Sequence, residues 1–98
     1  MTRTAIDIDR LLDDAENGDP EAQAEIAEVI ADLDGARRRS LDAAADGARV
    51  AADPNESELT RSQAGMAAYY ARQHAREYGE EAATLRAGEN PWAYEICY

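Results

Sequence analysis

The chemistry open to this chain rests on few residue types: one histidine, one cysteine, ten arginines and twenty-one carboxylates, with no lysine. A general base or nucleophile needs a partner within hydrogen-bond reach, and no spacing pairs His74 with one. As a metal ligand His74 has only Glu77 near it in sequence. It lies on an apolar helical stripe, one turn from Tyr70 and Tyr78, where the expectation is a packed, hydrogen-bonded core histidine. The acids around Gly18 invite a calcium test. Aligning Gly18 with a calcium loop's glycine puts Ala15 and Ala24 where oxygen ligands are required, so the loop fails. Cys97 alone permits no internal disulfide. The reading is non-enzymatic, with no catalytic residue, cofactor or metal.

The carboxylates are more informative by where they sit. Residues 1–34 hold eleven Asp and Glu against two Arg, residues 35–52 two against four, and residues 53–98 eight against four, which accounts for the net charge of -11. Glu21, Glu25, Glu28 and Asp32 recur at helical spacing and form one row, with neighbours about 5–6 Å apart. A rigid row of this kind resembles a nucleic-acid strand in its charge spacing. It suits the basic groove of a protein whose own target is polyanionic, held by the long-range attraction and counterion release that serve DNA binding. Nucleic-acid mimics that inhibit restriction or CRISPR machinery work on this logic. The competing explanation is an ordinary solvated helix face in an acidic, even high-salt, proteome. Arg37, Arg38 and Arg39 follow the row. Asp34 and Asp42 lie four residues either side of Arg38, so helical ion pairs absorb part of the charge. Alternatively these arginines meet the acidic face of a second copy and orient a homodimer. At net charge -11, direct nucleic-acid binding is not expected.

Ninety-eight residues allow one small domain. Alanine supplies 22 of them, and Leu, Ile, Val and Phe together only 13, so the core is thin and association should contribute to stability. Ala, Glu and Arg favour helix, and the apolar residues fall in register, which argues for order. No apolar run approaches a membrane span and no signal peptide is apparent, so a cytoplasmic location is expected.

The elements that must position these residues are helices. A first helix spans about residues 7–17 and ends at Gly18. Asp19-Pro20 opens a second over about 20–52, with Ala22, Ile26, Val29, Ile30 and Leu33 as its core stripe. It either breaks at Gly35 or continues through it, and an uninterrupted stripe from Val29 to Val50 favours continuation. Asp53-Pro54 ends it. Asn55, as N-cap with Glu58 three residues on, opens a third helix to about residue 87. Its inward face is read as Leu59, Gln63, Met66, Ala67, Tyr70, Ala71, His74, Tyr78, Ala82 and Leu85. Folding about 53–55 makes an antiparallel hairpin, with Ala43 near Gly65, Ser40 near Ala68 and Val29 near Gly79, to within a turn. Residues 88–98 form a tail in which Trp92, Tyr94, Ile96 and Tyr98 share one face of an extended segment.

The stretch Ala15 to Gln23, A-E-N-G-D-P-E-A-Q, has the rhythm of Sel1 and tetratricopeptide helical repeats, but no second copy follows at the required distance, which leaves shared cap grammar. The sum of these readings is an all-α domain: a short helix, a long helical hairpin and an aromatic tail. Its function reads as an acidic protein-binding module for a basic partner, with a nucleic-acid mimic as its sharpest form. The alternative is an assembly protein, homodimeric through the Ala-rich hairpin and the tail residues Trp92, Tyr94 and Tyr98.

Overall fold

The computed structural model describes residues 4–95 of the chain, which is all-α. α1 spans Ala5–Glu16, α2 Pro20–Ala51 and α3 Glu58–Arg86, and a 3-10 turn follows at Ala93–Glu95. The helix ends are set locally. Thr4 and Asp7 form a reciprocal capping box: the Thr4 side chain accepts the Asp7 N–H, and the Asp7 carboxylate accepts the Thr4 N–H. This starts α1 two residues before the sequence reading placed it. At its far end Gly18 takes a left-handed φ of 93°, and the Gly18 and Asp19 N–H groups donate back to Ala15 and Asp14 carbonyls. Gly88, φ 82°, ends α3 in the same way.

Asp19 Oδ1 accepts the Glu21 N–H at 3.0 Å and starts α2, with Pro20 in the first position, where a missing donor is harmless. The helix runs unbroken through Gly35. α3 differs from the sequence reading at its start. Its cap is Ser57, whose Oγ accepts the Thr60 N–H, whereas Asn55 sits in a turn with its N–H donated to Asp53 Oδ1. The connection from 52 to 57 is thus six residues long rather than a tight three-residue turn.

The described residues belong to two compact units, one from residues 1–33 and 80–98, the other from 34–79. The first is built around Ile8, Val29 and Leu85, with Leu11, Leu12, Ile30, Leu33 and Trp92 packed on them. The core stripe read from the second helix is in place here: Ala22, Ile26 and Val29 are buried, Ile30 and Leu33 half-buried. Full burial of a side chain such as Ile8 or Leu85 stabilises by about 1.5–3 kcal/mol, so a few residues carry this unit. The tail docks by a specific bond. Asn90 donates from Nδ2 to the Ala5 carbonyl at 2.8 Å and accepts the Trp92 N–H on Oδ1 at 2.9 Å. That second bond and the one from the Ala93 N–H to the Asn90 carbonyl curl the chain. The tail is therefore not extended at 93–95, because a side-chain turn at Asn90-Pro91 outcompetes the alternating pattern.

The second unit is packed differently. Its buried residues are Ala44, Ala68 and Ala75, and its closest approach is at Gly47, where a Cβ would lie 2.8 Å from the Ala64 carbonyl oxygen and 3.1 Å from Ala68 Cβ. Gly65 stands opposite Ala51, and the Arg37 side chain lies over Gly79. The two helix segments thus run antiparallel in a register that departs from the sequence reading. Ala68 meets Gly47 rather than Ser40, a shift of two turns. α3 starts at Glu58, and Gly65, two turns into it, is the residue that meets Ala51 at the end of α2.

Candidate functional site

The row Glu21, Glu25, Glu28 and Asp32 belongs to the first unit. At 100° per residue the four side chains fall within one narrow arc of α2, turned away from Ala22, Ile26 and Val29. All four are exposed, and none has an ion-pair partner within 4 Å among the described residues. Their span is about 16 Å at helical rise. The setting reinforces the sign: the segments of this unit hold fourteen Asp and Glu against three Arg, whereas 34–79 holds seven against seven. The whole net charge of the chain therefore sits on one unit.

The fold lowers the proton affinity of the Asp7 carboxylate. The Thr4 backbone N–H and hydroxyl hydrogen-bond its charged form and hold its pKa below the ordinary 3.8. It serves as a helix cap, and its position on α1 is apart from the row.

The arginine run does not project as a cluster. Arg37, Arg38 and Arg39 are exposed, but Arg37 lies across α3 at Gly79 and the Arg39 guanidinium curls back towards Gly35. Trp92 and Tyr94, expected on one face, are separated by the 3-10 turn: Trp92 is half-buried against the core of the first unit, and Tyr94 is 82% exposed. Ile96 and Tyr98 lie outside the described residues.

His74 departs from its expected role. It is exposed, on a shallow groove of about 300 Å³ lined also by Arg39, Ser40 and Tyr78. One residue on, Ala75 is buried, and a step of 100° is enough to carry His74 out of the packed line. A second groove, about 480 Å³, lies in the first unit between Leu12, Gln23, Ile26 and Leu85. Among the described residues no group of three His, Cys, Asp or Glu is placed to hold a metal ion, and no helix is long and apolar enough to cross a membrane.

The largest correction concerns α3. Leu59, Met66 and Tyr70, read as its inward face, are 69%, 57% and 56% exposed. Ala82 and Leu85 of the same stripe are buried as expected, and Ala68 and Ala75 complete the inward face, about half a turn around the helix from Leu59, Met66 and Tyr70. Small side chains let two helix axes approach until backbone meets side chain, as at Gly47, and that contact displaces the bulky stripe to the outside. The readable signal was the recurrence of alanine at 64, 68, 71, 75 and 82, a second stripe of helical period. Tyr69 belongs with the outer group; its ring meets that of Tyr70 edge-on at 5.5 Å, and Gln73 Nε2 donates to its hydroxyl at 2.8 Å.

Compared with protein-family models, with curated proteins and with solved structures, the chain matches none of them.

Proposed function

We propose that this chain is a non-enzymatic, acidic protein-binding module, and that Glu21, Glu25, Glu28 and Asp32 engage a basic partner as a nucleic-acid strand would. The observation that carries the reading is the row itself: four exposed carboxylates without ion-pair partners among the described residues, on one rigid helix, within the unit that holds all the net charge. Like charges at this spacing cost a few tenths of a kcal/mol per pair in an isolated helix, and a basic groove turns that repulsion into attraction. The partner class that fits is a DNA- or RNA-binding protein, and occupation of its groove would inhibit it.

The test uses the purified chain as bait in a lysate at low salt, beside a variant carrying Glu21→Gln, Glu25→Gln, Glu28→Gln and Asp32→Asn. The expected result is a basic nucleic-acid-binding protein that the native chain retains, the variant does not, and duplex DNA or RNA displaces. Equal retention by both chains overturns the reading. Binding should also weaken steeply with ionic strength. The assembly reading draws on a different observation, the exposed bulky face of α3, and association through that face should survive high salt.

A further inference from the structure

We infer that the outer face of α3, centred on Met66, is a self-association surface on which a second copy of this chain packs antiparallel about a two-fold axis. The face is apolar where a soluble helix back is ordinarily charged: Leu59, Met66, Tyr69 and Tyr70 are each more than half exposed. Taking about 200 Å² for a fully exposed large side chain, these four offer on the order of 500 Å² per copy, so a symmetric pair removes about 1,000 Å², the lower bound of a specific interface.

Charge selects the occupant. From Leu59 to Arg76 there is no Asp or Glu, although acids make up 21 of 98 residues in the chain. Two copies that each carry -11 can approach closely only where that charge is absent, and this face lies in the unit whose acids and arginines balance. The flanks of the stripe then fix direction. Glu58 borders it at one end and Arg76 at the other, on the same side of the helix, since they are five turns apart. Both are exposed, and neither has an ion-pair partner among the described residues. A parallel partner would set Glu58 on Glu58 and Arg76 on Arg76. An antiparallel one sets Glu58 of each copy against Arg76 of the other, twice, with Met66 close to the axis; isologous contacts of this kind are the commonest among oligomers. The Tyr69–Tyr70 edge contact and the Gln73 bond hold two of the four large side chains in place beforehand, which lowers the entropy lost on docking.

This inference is independent of the acidic row, which lies in the other unit, and its test separates the two. Sedimentation equilibrium of the full chain over a range of concentrations is expected to give a dimer. Met66→Glu should raise the dissociation constant at least about tenfold by burying an unpaired charge at the axis, with far-UV circular dichroism unchanged because position 66 is exposed in the single chain. Glu58→Arg should weaken association by placing arginines opposite one another, and Glu58→Arg with Arg76→Glu should restore it. A native chain that sediments as a monomer at about 100 μM, a Met66→Glu dimer as tight as the native one, or a double exchange that fails to restore association each overturns the proposal.

Discussion

The two units of this protein distribute bulk and charge in opposite ways. In the first, the large apolar side chains Ile8, Val29 and Leu85 are inside and the excess carboxylates are outside, the ordinary arrangement of a small domain. In the second, alanine and glycine are inside, Leu59, Met66, Tyr69 and Tyr70 are outside, and the formal charge is balanced. Each surface is suited to a different kind of contact. A highly charged exterior over a bulky core suits long-range attraction to an oppositely charged partner. A neutral exterior with large side chains over a close-packed small-residue interior suits short-range packing, which we assign to a second copy.

Mutations in the two units should differ in size and in sign. Leu85→Ala removes a side chain that is 2% exposed and leaves a cavity in the first unit, and we expect a loss of about 2–5 kcal/mol in chemical denaturation. Leu59→Ala, the same exchange at an exposed site, should change the stability of the single chain by less than about 0.5 kcal/mol. In the second unit the contrast is between glycines. Gly47→Ala drives a Cβ to 2.8 Å from a backbone oxygen and should cost about 1–3 kcal/mol, whereas Gly65→Ala places its Cβ at an ordinary 3.9 Å from Ala51 and should stabilise by up to about 1 kcal/mol through helix propensity. Melting temperatures of the two variants, read side by side, test the register directly.

Smaller effects sharpen the account of the acidic unit. Thr4→Ala removes the capping box and should cost about 1 kcal/mol. Because the folded pKa of Asp7 lies below its ordinary 3.8, the cap's contribution is present above that pH and is lost as pH falls through the lowered value. An NMR titration should find the Asp7 midpoint below 3.8 in the native chain and shifted upward in Thr4→Ala. The smallest effect is expected for Glu25→Gln. Relief of repulsion within the row should stabilise by roughly a few tenths of a kcal/mol at low salt, read as a slightly higher melting temperature, and the gain should vanish as salt is added.

Much of this was legible from local signals. Asp19-Pro20, Gly18, Gly88 and Asp53-Pro54 mark helix ends through the geometry of one or two residues, and the helices begin and stop close to them. The stripe Ala22, Ile26, Val29 is buried, and the row Glu21, Glu25, Glu28, Asp32 is exposed, because both follow from helical period on a helix with one apolar side. The start of α3 was misplaced because Asn55 and Ser57 are both competent caps, and local chemistry does not rank them. The tail was misread because the Asn90 side chain and carbonyl curl the chain at 90–93 against the alternating pattern, and where the turn docks is set by the Asn90 bond to Ala5, eighty-five residues away.

What the sequence determined by itself is therefore an all-α chain, the approximate helix limits and the placement of charge, each governed by interactions within a few residues. The tertiary structure decided which side of α3 turns inward. That helix carries two stripes of equal period, one of alanine and one of Leu59, Met66 and Tyr70, and periodicity alone favours the larger side chains. Contact favours the smaller. Opposite Gly47 only side chains the size of alanine let the helices meet, and this complementarity between distant segments left the bulky stripe on the surface.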